Sequence, residues 1–197
     1  ENQLKRGKMA IFDDLLARGV TQIIDKSSLE QKLKSGKPLV IKHGVDPTTK
    51  DLHLGQAVIY RKLRQFQQLG HLIIFLIGDF TARFGDPTDR QVIRQLRSKK
   101  EVMECARKYF KQIAKILDPQ KTQIRFNGEW YDKMSAEELL KLQANFSFSQ
   151  VIERDMFQER LGRKQDIRLH ELTYPILQGY DSVRLKADLT VIGTDQI

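Results

Sequence analysis

Cysteine is almost absent from this sequence of 197 residues, which contains one, Cys105. A single cysteine excludes a disulfide within the chain and a zinc site built from cysteine pairs. Long apolar runs are missing too, since no stretch approaches the roughly 18 consecutive apolar residues that a membrane-spanning helix needs. The first eight residues are polar and lack the apolar centre of a signal peptide. These absences lead us to expect a soluble, cytoplasmic protein.

Acidic residues are outnumbered by basic ones, with 25 Asp and Glu against 34 Lys and Arg, which gives a formal net charge of +9. A basic excess favours a polyanionic partner such as nucleic acid, although many basic proteins bind none. Hydrophobic residues make up 40% of the sequence, which is enough for a core and argues against global disorder. The length suits one domain, or one domain with an insertion. Because the sequence stops directly after a strand-like run, we expect it to be part of a longer protein.

The hydrophobic pattern predicts a strand at 39–41, a helix from about 54 to 69 and a strongly apolar strand at 72–77. Strand, helix and strand over about 40 residues form a βαβ unit, which requires a parallel sheet. The remaining predictions are a helix near residues 9–16, helices at 28–34, 92–117, 136–142, 150–161 and 169–185, and strands at 122–126 and 189–192. We therefore predict an α/β protein with a nucleotide-binding parallel sheet and a mostly helical insertion.

The turn after the first strand has the composition of a ligand site, because ligands of open α/β sheets lie at the carboxyl ends of strands. A glycine there lets a ligand approach the backbone, and an aspartate accepts hydrogen bonds from an amine or a hydroxyl. The following helix begins with free N–H groups that favour a phosphate. A lone His before Gly is more often a plain turn residue. The polar and glycine residues of this turn are Gly44, Asp46, Thr48, His53, Gly55 and Gln56.

A second candidate is the predicted helix at 169–185. Tyr174, Gln178 and Asp181 are four and three residues apart and therefore share one helix face. Three hydrogen-bonding side chains beside apolar neighbours suit a pocket that is apolar with a few placed polar groups. A solvated helix face, or a tyrosine packed at a helix end, is the other interpretation.

Four segments, in this order, resemble the motifs of class I aminoacyl-tRNA synthetases, and in particular those of the bacterial tyrosyl enzymes. The turn residues 44–48 with 53–56 look like the first active-site motif of that class, usually written HIGH. The other segments are 78–82 with 85–88, 174–182 and 193–196. One HIGH-like tetrapeptide is weak evidence, whereas four colinear motifs are strong. The resemblance implies a Rossmann-like parallel sheet of the class I synthetase type.

The resemblance also implies a reaction: activation of L-tyrosine with ATP, followed by transfer of the tyrosyl group to tRNA(Tyr). It assigns stabilisation of the phosphate charge to Thr48, His53 and Gln56. It assigns the ATP and adenylate contacts to Gly44, Asp46, Gly55, Gly193 and Asp195. It assigns tyrosine binding to Thr81, Asp86, Tyr174, Gln178, Asp181 and Gln196, with Asp181 accepting a hydrogen bond from the tyrosine hydroxyl. Mg²⁺ would enter with ATP, and no metal bound tightly by protein ligands is expected.

This sequence departs from the family pattern in places. Gln56 replaces the second His of HIGH, so it brings a donor without positive charge. Lys42 stands where some tyrosyl enzymes carry a Tyr near the substrate hydroxyl. Residues 133–135, Lys-Met-Ser, look like the start of the second ATP motif, KMSKS, but they lie upstream of the last motif instead of downstream. Ser135 and Glu138 have the spacing of a capping box, which predicts that they only open a helix.

The expected organisation is an N-terminal helical segment at 1–36 and a truncated catalytic domain at 37–197. Within the latter, residues of about 118–166 resemble the insertion through which the family forms homodimers, and an anticodon-binding domain is absent. The basic stretch of 94–111 contacts a tRNA acceptor stem in one interpretation and is a solvated helix face in the other. Two alternatives to the tyrosyl function stay open, a tryptophanyl-tRNA synthetase and a non-catalytic RNA-binding fragment.

Overall fold

The computed structural model describes residues 12, 14–47, 51–84 and 98–194. Within these ranges four parallel strands form one sheet: β1 (Val40–Val45), β2 (Leu72–Ile77), β3 (Thr122–Phe126) and β4 (Leu189–Thr190). The strand order is β3-β2-β1-β4. The chain thus builds outward from β1 through β2 to β3 and then returns to the other side of β1. This reversal places a topological switch point between β1 and β4, where open parallel sheets bind their ligands.

Helices cover both faces of the sheet. They are α1 (Lys26–Lys34), α2 (Leu54–Gln68), α3 (Lys99–Ile113), α4 (Gly128–Tyr131), α5 (Ala136–Gln143), α6 (Phe148–Ile152), α7 (Asp155–Gly162) and α8 (Leu169–Arg184). Strand β2 is apolar at every position and buried from Ile73 to Ile77, as a strand covered on both faces must be. The predicted α/β fold with a parallel sheet is confirmed.

The two faces of the sheet pack into separate cores because neighbouring residues of a strand point to opposite sides. On one face Ile73, Phe75 and Ile77 pack with residues of α2 and α3. On the other face Ile74 and Leu76 pack with residues of α4 and α8. A smaller cluster joins α6 and α7 to α8. Helix α8 is therefore fixed from both sides, which gives its polar residues defined positions.

Several boundaries differ from the sequence prediction. Strand β1 runs on to Val45, so Gly44 lies in the strand and not in the turn after it. The helix predicted at 150–161 is two helices, α6 and α7, separated at residues 153–154. The short helix α4 was not predicted. The strand predicted at 122–126 is confirmed as the edge strand β3, which pairs with β2 in parallel register although it lies within the range 118–166 expected to be an insertion.

Two helices begin with capping boxes, and the one at Ser135 was predicted. Ser98 caps α3, which begins one residue later, whereas the preceding part of the predicted helix at 92–117 lies outside the described residues. Ser135 accepts a hydrogen bond from the Glu138 backbone, and the Glu138 carboxylate accepts one from the Ser135 backbone at 2.7 Å. The capping-box interpretation of the KMSKS-like residues is confirmed.

Candidate active site

A cleft of about 1320 Å³ opens at the carboxyl end of β1, at the switch point of the sheet. The residues that line it extend from the start of α2 to side chains of α8. Six of its polar lining residues are Asp46, Thr81, Asn127, Tyr174, Gln178 and Asp181. They come from β1, β2, β3 and α8 or the turns that follow these strands, so the fold and not local sequence brings them together.

Asp46, directly after β1, connects the turn after β2 and helix α8 through its two carboxylate oxygens. One carboxylate oxygen, Oδ1, accepts a hydrogen bond from the Thr81 hydroxyl at 2.7 Å. The other, Oδ2, accepts one from the Tyr174 hydroxyl at 3.1 Å. Gly78 makes this approach possible, because a Cβ at that position would lie 1.8 Å from Asp46 Oδ1. The glycine that follows β2 is thus required by the position of the carboxylate.

Asp181 lies deeper in the cleft and is 5% exposed. Its Oδ1 accepts a hydrogen bond from the Trp130 indole N–H at 3.1 Å, and its Oδ2 lies 3.5 Å from the Asn127 amide nitrogen. Burial raises the pKa of Asp181 to about 6, against the opposing effects of hydrogen bonds and of the Lys42 charge. A carboxylate held by oriented donors at the base of a cleft can accept a hydrogen bond from a hydroxyl that enters the cleft.

Asn127 connects the two carboxylates and is 1% exposed. Its side-chain amide donates to the Thr81 hydroxyl at 3.0 Å and accepts from the Phe80 backbone N–H at 2.9 Å. Asn127 and Trp130 are not among the site residues predicted from the sequence. The sequence held one signal for Asn127, which is its position directly after a parallel strand and before Gly128.

Lys42 departs from the family pattern and is not among the predicted site residues. In the structure it is 2% exposed, and its ammonium donates to the Gln178 backbone carbonyl at 3.0 Å. Burial lowers the pKa of Lys42, and the negative charge of Asp181 acts in the opposite direction. The lysine thus forms part of the wall beside the Asp181 carboxylate.

The start of α2 forms the outer part of the cleft. His53 precedes the helix, is exposed, and its backbone N–H donates to the Gln56 side-chain oxygen at 3.1 Å. A Cβ on Gly55 would lie 3.1 Å from His53 Nδ1, so the glycine makes room for the imidazole ring. The His53 and Gln56 side chains therefore stand at the helix end where an anion is favoured.

Two hydrogen bonds between β1 and the segment after β4 hold the wall of the cleft on the β4 side. His43 is buried, and its Nδ1 donates to the Val191 carbonyl at 2.8 Å, while the Val191 N–H donates to the Lys42 carbonyl at 3.0 Å. Burial lowers the pKa of His43 to about 4, so the imidazole is neutral at pH 7. Gly193 follows this segment and also lines the cleft.

The cleft thus gathers all ten of the predicted site residues that the structure describes. Those lining it are Gly44, Asp46, His53, Gly55, Gln56, Thr81, Tyr174, Gln178, Asp181 and Gly193. The predicted residues Thr48, Asp86, Asp195 and Gln196 lie outside the described residues. Among the residues that the structure does describe, no His, Cys, Asp and Glu side chains form a group able to hold a metal ion. In those same ranges no helix has the length and apolar character to cross a membrane.

Comparison with known proteins shows the family to which the chain belongs. Residues 34–197 match the family model of the class I tRNA synthetases (W and Y), and the chain belongs to this family. Its curated relatives include the tyrosine–tRNA ligases of Xanthomonas euvesicatoria pv. vesicatoria (strain 85-10), 50% identical over 182 residues, and of Haemophilus influenzae, 49% identical over 181 residues. Each alignment covers 92% of this chain but 45% of the relative. The chain therefore spans about half the length of the curated relatives it matches.

Solved structures show the same fold. The chain is similar to a C-terminally truncated mitochondrial tyrosyl-tRNA synthetase of Aspergillus nidulans, with a TM-score of 0.76 and 22% identity over 98% of this chain and 63% of that one. It is also similar to the tyrosyl-tRNA synthetase of Archaeoglobus fulgidus complexed with L-tyrosine, with a TM-score of 0.72 and 23% identity over 94% of this chain and 56% of that one. The class I synthetase form of the α/β fold is thereby confirmed.

Proposed function

We propose that the protein to which this chain belongs is a tyrosine–tRNA ligase. It activates L-tyrosine with ATP and then transfers the tyrosyl group to tRNA(Tyr). The observation that carries the proposal is Asp181, a buried carboxylate with oriented hydrogen-bond donors at the base of the cleft. The curated relatives favour tyrosine over tryptophan as the substrate.

The amino acid would lie along α8. Asp181 and Tyr174 are two helical turns apart, about 10 Å along the axis, which leaves room for one amino acid between them. We place the phenolic hydroxyl at Asp181 and the α-ammonium near Tyr174, Gln178 and Thr81. Asp86 and Gln196 complete this set in the proposal. A substrate without the hydroxyl would leave the Asp181 carboxylate buried without its partner, at a cost of about 1.5–3 kcal/mol for a hydrogen bond to a charged group.

The ATP substrate, with its Mg²⁺, would lie toward the start of α2. The tyrosine carboxylate attacks the α-phosphorus, the P–O bond to pyrophosphate breaks, and pyrophosphate leaves with the electron pair. His53, Gln56 and Thr48 would stabilise the charge that develops on the phosphate oxygens. Gly44, Asp46, Gly55, Gly193 and Asp195 would form the adenylate site. The reaction needs positioning and charge stabilisation and no covalent nucleophile.

The proposal extends to partners and location. We propose tRNA(Tyr) as the polyanionic partner, supported by the exposed basic residues Lys100, Arg107, Lys108 and Lys111 of α3. We propose a homodimer, supported by Leu140, Phe148 and Leu169, apolar side chains that are 65%, 66% and 84% exposed on α5, α6 and α8. We propose the cytoplasm as the location, since the curated relatives act in translation.

The test is tyrosine-dependent ATP–pyrophosphate exchange on the natural protein that contains this sequence. Tyrosine should support exchange, and phenylalanine and tryptophan should not. In Asp181→Asn the ratio of kcat/KM for tyrosine over phenylalanine should fall roughly ten- to hundredfold. Asp155→Asn, an exposed carboxylate on α7, is the matched control and should leave the ratio unchanged. Exchange driven by tryptophan, or no exchange at all, would contradict the proposal in favour of the tryptophanyl or the non-catalytic alternative.

A further inference from the structure

Asp79 is a buried carboxylate that the proposed mechanism does not use. It lies in the turn after β2 and is 4% exposed. Its Oδ1 accepts a hydrogen bond from the backbone N–H of Gly128, the first residue of α4, at 2.7 Å. Because a buried carboxylate needs hydrogen-bond donors in place of water, this contact ties the turn after β2 to the start of α4.

Gly128 allows the carboxylate to approach the backbone this closely. A Cβ at that position would lie 2.6 Å from Asp79 Oδ2 and 3.0 Å from Asp79 Oδ1. A side chain at residue 128 would therefore displace the carboxylate. The contact can thus be disturbed from either side, by a change at Asp79 or by a change at Gly128.

Two more hydrogen bonds join the same two segments. The Asn127 side-chain oxygen accepts from the Phe80 backbone N–H at 2.9 Å, and the Asn127 backbone N–H donates to the Ile77 carbonyl at 3.0 Å. Asp79 and Asn127 thus each bind the backbone of the other's segment. Helix α4 has four residues, which is too short for a helix that is stable by itself, so these contacts fix its position.

The start of α4 supplies the donors that hold Asp181. The Trp130 indole donates to Asp181 Oδ1 at 3.1 Å, and the Asn127 amide nitrogen lies 3.5 Å from Oδ2. We propose that Asp79 is a positioning residue for amino-acid selection, which anchors α4 so that its donors orient the Asp181 carboxylate toward the substrate hydroxyl. The inference rests on the proposed function, because it deepens the role given to Asp181. Asp79 is not among the residues that line the cleft, so it acts without touching the substrate.

A purely structural role for Asp79 predicts different behaviour. If the carboxylate only joined the ends of β2 and β3, its removal would lower stability and reduce exchange with tyrosine and with phenylalanine by the same factor. If it positions the donors around Asp181, its removal lowers the ratio of kcat/KM for tyrosine over phenylalanine. A loss of folded protein does not change this ratio.

ATP–pyrophosphate exchange on the natural protein that contains this sequence separates the two roles. In Asp79→Ala the ratio should fall roughly three- to tenfold, which lies within the range of interaction energies between coupled residues. Gly128→Ala should lower the ratio in the same way. Asp79→Asn keeps a side-chain oxygen for the Gly128 N–H, so its ratio should stay within about twofold of that of the unchanged protein.

Two control variants match these changes away from the cleft. Asp25→Ala removes another aspartate whose Oδ1 accepts a backbone N–H at a helix start, that of Ser28 at 3.2 Å. Gly162→Ala adds a Cβ that meets nothing within 4 Å. Neither control should change the ratio.

Trp130 gives a second readout, because it is the one tryptophan in the sequence and is 6% exposed. Its fluorescence emission should move to longer wavelength in Asp79→Ala and in Gly128→Ala, since α4 loses its anchor and the indole gains contact with water. The emission should stay unchanged in both control variants and in Asp79→Asn.

Asp181→Asn provides the background that tests whether Asp79 acts through Asp181. Adding Asp79→Ala to Asp181→Asn should leave the ratio within about twofold of that of Asp181→Asn alone. A further fall as large as in the unchanged background would overturn the inference. So would an unchanged ratio in both Asp79→Ala and Gly128→Ala. An unchanged protein without tyrosine-dependent exchange would instead count against the proposed function itself.

Discussion

At the scale of single residues, the cleft is a network in which each side chain fixes the next. Asn127 donates to Thr81, Thr81 donates to Asp46, and Tyr174 donates to the second oxygen of Asp46. Because a buried polar group that loses its partner costs about 1–3 kcal/mol, a change at one position is transmitted to the others. Residues outside this network act on the reaction separately.

His53 is such a residue, exposed at the mouth of the cleft. In His53→Ala we expect ATP–pyrophosphate exchange to slow by roughly a hundredfold, the usual cost of removing one donor from a developing charge, while tyrosine affinity stays nearly constant. Pre-steady-state adenylation and a tyrosine titration on the same preparation measure the two effects. His170→Ala, which removes another exposed histidine, is the control. Weak tyrosine binding with normal adenylation would show that His53 belongs to the amino-acid side of the cleft.

Gly78 shows how closely the network is packed. A Cβ there would lie 1.8 Å from Asp46 Oδ1 and 2.4 Å from Thr81 Oγ1, so Gly78→Ala must displace the carboxylate. We expect at least a tenfold loss of tyrosine affinity and a loss of about 1–3 kcal/mol in the free energy of unfolding. Gly162→Ala, where a Cβ meets nothing within 4 Å, should change neither quantity appreciably. Isothermal calorimetry and urea unfolding test both expectations, and full tyrosine affinity in Gly78→Ala would be inconsistent with the role given to Asp46.

At the scale of secondary-structure elements, α8 carries the amino-acid side of the cleft on a scaffold that packs on both sides. Ile176 and Leu177 face the two neighbouring cores, while Tyr174, Gln178 and Asp181 face the cleft. The helix also contains Pro175, whose missing N–H removes one intrahelical hydrogen bond. Packing therefore contributes more to the stability of α8 than its intrinsic helix propensity does.

Gly179 offers a way to strengthen α8 without entering the cleft. It is exposed within the helix, and a Cβ there would meet nothing within 4 Å. Gly179→Ala should raise the free energy of unfolding by about 0.5–1 kcal/mol, or roughly 2–4 °C in Tm at 1 kcal/mol for a chain of this size. Thermal unfolding followed by circular dichroism measures the change. A lower Tm would indicate that α8 is constrained at this position by something that the backbone geometry does not show.

At the scale of the whole molecule, two buried groups give opposite pH dependences of stability. Folding lowers the pKa of His43 from 6.5 to about 4, so the unfolded chain binds the extra proton in this window and stability falls as the pH falls. Folding raises the pKa of Asp181 from 3.8 to about 6, so the folded chain binds the extra proton and stability rises as the pH falls. Each effect amounts to about 3 kcal/mol over its full window, and the two windows nearly coincide.

The two effects can be separated by substitution. Between pH 7 and 4.5, Asp181→Asn should lose stability more steeply on acidification than the unchanged chain, and His43→Gln should lose less or gain. Urea unfolding at intervals of pH gives the free energies, and the comparison uses the slopes, since each substitution also changes stability at neutral pH. Parallel pH profiles for the two variants would show that neither group is as strongly perturbed as its burial implies.

Local patterns in the sequence were enough to predict most helices and strands and the residues of the candidate site. Periodicity predicted the βαβ unit, and the continuous apolar run at 72–77 predicted strand β2, because the spacing of apolar residues reflects which side of an element is buried. Spacing also predicted that Tyr174, Gln178 and Asp181 share one helix face. The tertiary structure decided which distant residues meet them. Tyr174 donates to Asp46 across 128 positions, and Asn127 and Trp130 lie against Asp181, because α8 packs on the face of the sheet that carries Ile74 and Leu76. Strand order and helix placement depend on the packing of the whole chain, and no local pattern in the sequence specifies them.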